Sequence, residues 1–236
     1  NDIPFLYSSY VTNVLKDAQG GPAGVVITNR SGRQAIRCKT IIDATQLASV
    51  ARLVGAPMTP FKAGKYDFRF VTVGSRALSI AGATAEEVPY TLKYKNKTVP
   101  VVRYTCGMEV KDDSYATLQA IEQIIRDKTW TCDQSDSSDV MEFMPFVTII
   151  AEQEHTQPVS LIRQIPMEAL RPKGVRNLWV LGPAAGFSRE TAAKIMRPVH
   201  GISLGQIVGE KVSRDIKNKT IVKQSDVFNP IAKGDN

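Results

Sequence analysis

The 236-residue sequence is poor in the residues that announce a metal or disulfide protein. It has two histidines, and its three cysteines, Cys38, Cys106 and Cys132, include no C-x-x-C pair. An odd count without paired spacing argues against a zinc site and against a disulfide framework, so no metal is expected; one bridge with one free thiol stays open. No apolar run is long enough to span a bilayer, which argues against a membrane partner. No signal-peptide pattern is visible, and the compartment is left unassigned. Basic runs are missing too. The chain carries 30 Lys and Arg against 23 Asp and Glu, a net charge of +7, but these cations are scattered and not interleaved with aromatics. The charge therefore reads as solvated surface and not as a nucleic-acid footprint. Finally, no G-x-G-x-x-G occurs, the loop that seats a dinucleotide pyrophosphate at a helix start. The sequence opens "NDIPFLYSSY" without an initiator methionine and reads as a portion of something longer.

What is present is ordinary globular material: 43% hydrophobic and 22% charged residues, enough chain for one large domain or two small ones. In the first third, "FLYSSYV", "NVLKD", "GVVITNR" and "QAIRCKTIIDAT" are β-branched and aromatic runs punctuated by Gly, Asn and Ser. They predict a meander of short antiparallel strands. The continuous apolar run Thr40 to Ala44 suits a strand buried on both faces, as in a parallel sheet. A short helix over "LASVARLVGA" is expected to stop near Gly55 and Pro57. In the middle, "YDFRFVTVGSRAL" alternates like a strand, "YTLKYKNKTVPVVRYTCGMEV" reads as a hairpin turning at "KNK", and "VMEFMPFVTIIAEQE" reads as a further strand. Between them Tyr115, Leu118, Ile121 and Ile125 recur at helical spacing, with Asp113 or Ser114 as N-cap.

The final third carries the strongest pattern. "PKG" marks a turn before the buried strand "NLWVLG"; a glycine-rich loop and then "RPVHGISLGQIVGEKV" follow. Pro198 suits the first helical position, where its missing N–H would be unpaired anyway. Leu204, Val208, Val212 and Ile216 recur every four residues and predict about five helical turns. Along the same helix run Gly201, Gly205 and Gly209, each costing about 0.5–1 kcal/mol relative to alanine. Such a stripe leaves two readings open: close helix–sheet packing, or close approach of a flat ligand. A strand, a glycine-rich loop and a helix start together direct N–H groups and the positive helix end toward an anionic or electron-rich group.

Three stretches, "GVVITNRSGRQAIRCKTIIDATQLASVARLVGAP", "IPMEALRPKGVRNLWVLGPAAG" and "SLGQIVGEKV", resemble in order and separation the FAD-dependent oxidoreductases of the glutathione-reductase-like fold. The resemblance covers roughly the first sixty and last seventy residues. It implies an α/β fold, α+β in the middle: a partial FAD-binding Rossmann-like domain with a β-meander, and an inserted mixed-sheet substrate domain. The expected boundaries are 1–60 for the first FAD-domain part, 61–164 for the substrate domain, 165–217 for the closing strand and helix, and 218–236 for a fraying tail. It also implies site positions. Val11 would meet the adenine through its backbone, and Ala44 and Thr45 would pass the adenosine and pyrophosphate. Gly182 and Pro183 would lie by the ribityl or pyrophosphate region. Arg197, Pro198, Val199 and His200 would open the helix facing the flavin pyrimidine. The implied partners are a small-molecule substrate and an N-terminal FAD-binding segment of the same protein. The family's "ATGD" is "ATQL" here, with Gln46 and Leu47, and Pro183 stands where arginine is usual. Those departures keep open an alternative, a non-catalytic module that retains the fold without the cofactor.

Single residues add less. His200 is the catalytic candidate, as a proton donor or acceptor beside the flavin, with a packing role in the first turn as the other reading. His155 reads as a solvated strand end, and Arg163 and Arg171 as steering groups or surface ion pairs. Cys106 reads as a buried, inert thiol.

Overall fold

The computed structural model describes residues 3–137 and 141–227. In chain order the elements are β1 (Tyr10–Lys16), β2 (Pro22–Asn29), β3 (Gly32–Arg37), β4 (Ile41–Asp43), α1 (Ser49–Val54), β5 (Gly64–Val73), β6 (Ala83–Glu87), β7 (Leu92–Tyr94), β8 (Lys97–Val99) and β9 (Val101–Val110). They continue with α2 (Tyr115–Thr129), β10 (Asp136–Ser137), β11 (Glu142–Phe143), β12 (Leu178–Val180), α3 (Arg189–Ile195) and α4 (Pro198–Asp215). This is a mixed α/β chain with several sheets, in keeping with a partial FAD-binding Rossmann-like fold and an additional sheet domain. It divides into two compact units, one built from the described residues up to Thr59 and from Val147 onward, the other from those of Pro60–Phe146.

In the first unit β1, β2 and β3 form an antiparallel meander in that order. The register slips between Val11 and Asn13, so Thr12 is an extra residue and the strand kinks there. The expected strand over "FLYSS" is not formed: residues 5–9 lie outside the ladder, and Phe5, Leu6 and Tyr7 are exposed. β4 pairs in parallel with β12, Ile41 to Leu178 and Asp43 to Val180. Leu178, Trp179 and Val180 of β12 are all buried, but in β4 Ile42 is 41% exposed between buried Ile41 and Asp43, so the Thr40–Ala44 run is not buried on both faces as expected. Helix α4 begins with Pro198 in its first turn and buries Leu204, Val208 and Val212, each contributing about 1.5–3 kcal/mol. Helix α1 ends at Gly55, whose φ of 82° is the left-handed cap glycine permits. There the Gly55 N–H bonds to Arg52 O and the Ala56 N–H to Ala51 O, a Schellman closure.

In the second unit the strand order is β10-β5-β9-β6, with β11 also pairing β5. One face of this sheet carries Tyr66, Phe68 and Phe70, with Cys106 opposite Phe68 and Tyr104 opposite Phe70. Phe68, Phe70 and Tyr104 are fully buried, and α2 turns Leu118, Ile121 and Ile125 inward. Ser114 caps α2 by accepting the Thr117 N–H. Tyr115, expected on the buried stripe, is instead 69% exposed at the first position of α2. β7 and β8 form a hairpin turning through Lys95 and Asn96, both at positive φ, the twist a two-residue turn needs. The expected strand over "VMEFMPFVTIIAEQE" is not continuous. Val140 lies outside the described residues. Beyond it only Glu142–Phe143 pair with β5, and further on Ile149 and Ala151 make isolated bridges to Met58 and Pro172. Pro145 cannot donate to a ladder. The end of the expected tail, 228–236, lies outside the described residues.

Candidate functional site

The expected site positions fall in the first unit, and four of them, Ala44, Thr45, Gly182 and Pro183, follow the carboxyl ends of β4 and β12. Asp43 organises this region. Its carboxylate is 1% exposed and accepts four hydrogen bonds: the Thr45 N–H at 3.0 Å and hydroxyl at 2.7 Å, and the Val50 and Ala51 N–H groups at 2.8 and 3.1 Å. Helix α1 has no cap from its own N-cap residue, Ala48, which sits at φ 51°. Asp43 therefore caps that helix from the end of the neighbouring strand. Ala44 and Thr45 are exposed beyond it, while Thr45 also accepts the Ser49 N–H on its hydroxyl.

The loop after β12 is closed by protein. Gly182, Pro183, Ala184, Ala185, Gly186 and Phe187 are all buried. Several of its donors are used internally: Ala185 N–H to Gly182 O, Gly186 N–H to Ala169 O, and Ser188 N–H to the carbonyl of His155, while the Gly182 and Ala184 N–H groups have no partner among the described residues. Its glycines are there for packing. A side-chain carbon on Gly182 would lie 2.5 Å from Thr45 O, and one on Gly186 would lie 2.5 Å from Ala151 Cβ. At Gly182 the close approach is of backbone to backbone.

The start of α4 is different. Arg197, the N-cap residue, makes no side-chain cap, and its carbonyl takes the His200 and Gly201 N–H groups at 3.0 Å each. Pro198 has no N–H, and the Val199 N–H has no partner among the described residues, with Val199 itself 72% exposed. The mouth of the helix is open. The glycine stripe is likewise not filled by protein. An added carbon on Gly209 would meet nothing within 4 Å, one on Gly205 only Leu181 Cδ2 at 4.0 Å, and one on Gly201 only Ile195 O at 3.3 Å. Gly209 is exposed and the other two half-buried. Tight helix–sheet packing within the described residues therefore does not account for the stripe.

These observations test the fit to a flavin. The open start of α4, an N–H donor at a positive helix end beside Arg197, suits an electron-rich ring edge; the loop at 182–187 is buried, with the Gly182 and Ala184 N–H groups unpartnered among the described residues. Ala44 and Thr45 meet Gly182 through the paired strand ends, and Leu181 links them to α4. Val11 stands apart in the meander, opposite Ile27.

His200 is the third residue of α4, in its first turn. With Ser203 and Ile207, at i, i+3 and i+7, it lines an open cleft of about 310 Å³ whose far wall is Ser160, Leu161, Ile162 and Arg163. That helical face follows from the 3.6 period; its facing wall comes from a distant segment and has no sequence signal. The other single candidates resolve simply. Arg171 pairs with Glu152 at 3.3 Å and lies over the Trp179 ring. His155 bridges Phe187 through its backbone. Cys106 is buried, and burial pushes its thiol up, with Lys128 pulling it partly back. Among the described residues no group of three or more His, Cys, Asp or Glu could hold a metal ion, and no helix is long and apolar enough to cross a membrane.

No curated protein matches the sequence. Among solved structures, BexE, described with oxidation during BE-7585A biosynthesis, is 11% identical with a TM-score of 0.39, covering 75% of this chain and 32% of its own. AlpK is 14% identical with a TM-score of 0.45, over 89% of this chain and 39% of its own. CabE, an aromatic hydroxylase from angucycline biosynthesis, is 12% identical with a TM-score of 0.40, over 85% and 39%. The chain thus spans between 32% and 39% of the length of these three. Residues 1–142, more than half of the chain, match the family described as FAD dependent oxidoreductase; the chain belongs to this family of flavoproteins, whose cofactor is FAD.

Proposed function

We propose that the chain contributes part of the FAD site and the substrate-facing domain of an oxidoreductase that transfers hydride or electrons between a small organic substrate and flavin. It shares the cofactor with an N-terminal dinucleotide-binding segment of the same protein. The observation that carries this reading, beyond family membership, is the open mouth of α4 with its unpartnered Val199 N–H and unfilled glycine stripe. Bound FAD supplies the electron-accepting ring. The chain's part is electrostatic and positional. The Val199 N–H and the positive end of α4 favour negative charge seated there, with Arg197 adding a cation and Pro198 fixing the first turn. Ala44 and Thr45, exposed at the end of β4, lie toward the adenosine side. Gly182 and Pro183 support them from the buried loop, and Val11 sits beside the kink in β1.

A second reading, a non-catalytic module that keeps the fold, is favoured by the burial of residues 182–187 against the protein itself. The full-length protein separates the two. It is expected to purify yellow, with flavin absorbance, and Gly205→Leu, which fills the open space beside α4, should lower FAD affinity at least tenfold without lowering the melting temperature. A colourless product that takes up no added FAD removes the first reading.

A further inference from the structure

We propose that the cleft between Ser160–Arg163 and the His200 face of α4 binds a small carboxylic acid with a compact apolar body. This goes beyond the flavin reading and does not depend on it, since no cofactor atom enters the argument. The walls are fixed by side chains outside the cleft. Val159, just before the far wall, donates its N–H to Thr191 Oγ1 at 3.2 Å and accepts a short hydrogen bond from the Lys194 ammonium, both from α3. Gln164 closes the turn by accepting the Leu161 N–H at 2.9 Å. The Ser203 hydroxyl is held on Val199 O at 3.0 Å.

The lining is apolar with two basic groups. Leu161, Ile162 and Ile207 supply the hydrocarbon surface, with Leu161 47% exposed at the lip. Arg163 and His200 supply nitrogen donors, and no Asp or Glu lines the cleft. Neither basic side chain has an ion pair or hydrogen bond among the described residues. A free guanidinium is a fork that matches a carboxylate with two parallel bonds. Beside an apolar wall it selects a ligand that is charged at one end and hydrocarbon at the other. Volume sets the size. About 310 Å³ lies at the small end of ligand pockets and suits a single ring or a short branched chain, not a dinucleotide.

Benzoate, benzamide and acetate make the test, titrated without FAD into the chain carrying 13C-labelled Ile and Leu methyls. Benzoate is expected to shift the Leu161, Ile162 and Ile207 methyl signals and to saturate. Benzamide, which lacks the charge, and acetate, which lacks the ring, should each bind at least tenfold more weakly. Arg163→Met should lower benzoate affinity about tenfold and leave benzamide binding unchanged. Leu161→Ser, at an exposed position, should cost threefold or more and gives a reading even if Arg163→Met does not fold. The proposal is overturned if benzamide or acetate matches benzoate, if the shifts fall elsewhere, or if both variants bind benzoate as the parent does. Because FAD is absent throughout, failure here leaves the flavin reading untouched, and a colourless full-length protein leaves this one untouched.

Discussion

Replacing Asp43 by asparagine keeps the shape of the side chain and removes its ability to accept on both terminal atoms. The best placement turns the new NH2 toward Thr45, whose hydroxyl can accept, and leaves the amide oxygen on the Val50 and Ala51 N–H groups. Three hydrogen bonds then fall from charge-assisted to neutral, and the part-buried Thr45 N–H loses its acceptor. At roughly 1 kcal/mol for each weakened bond and 1–2 kcal/mol for the orphaned donor, the cost is about 4 kcal/mol. For a protein of this size that corresponds to a fall of about 8–16 °C in melting temperature. Thermal unfolding followed by circular dichroism measures the fall. Hydrogen exchange locates it, with the Val50 and Ala51 amides exchanging faster than those of α2. Asp67→Asn, at an exposed position, should move the melting temperature by about 1 °C or less. If Asp43→Asn behaves like Asp67→Asn, the reasoning that one strand-end carboxylate caps α1 is wrong.

Two glycines should respond in opposite directions. Gly186→Ala drives a carbon to 2.5 Å from Ala151 Cβ and should destabilise by about 1–3 kcal/mol in chemical denaturation. Gly209→Ala enters open space and should stabilise by about 0.5–1 kcal/mol through helix propensity; a loss of stability there would show that something packs on that face. Among the thiols, exposed Cys132 should be alkylated by iodoacetamide well before Cys106, whose thiol burial pushes up and so keeps protonated at neutral pH. Mass spectrometry of timed samples checks the order, and equal rates would contradict the burial of Cys106.

What could be read from the sequence was whatever repeats with a period. The apolar run ending at Asp43, the four-residue spacing from Leu204 to Val212 and the Ser114 cap each encode a local structure by themselves. β6 escaped because "ATAEE" has no apolar alternation; it is largely exposed and is held by its ladder to β9, Ala83 to Cys106 and Glu87 to Val102. Helix α3 escaped because its seven residues are too short for a period, although Ser188 accepting the Thr191 N–H is a legible cap. The stretch from Met141 misled for the converse reason: buried apolar residues look like a strand even where the chain is irregular. At the site, the glycines could be seen but not their partners. Whether a glycine faces a carbonyl, as Gly182 does, or open space, as Gly209 does, is decided by a segment distant in sequence.

The β7–β8 ribbon has a consequence for how copies of the chain tolerate one another in solution. A two-stranded ribbon has two unpaired rims, either of which could template another strand. Here Lys93, Lys95 and Lys97 crowd three exposed ammonium groups around a three-residue-a-side hairpin. An approaching twin would have to bring its own three cations against them before any backbone bond could form. The tip thus works as a gatekeeper against edge-to-edge association, and it does so with residues that leave the hairpin's own pairing intact.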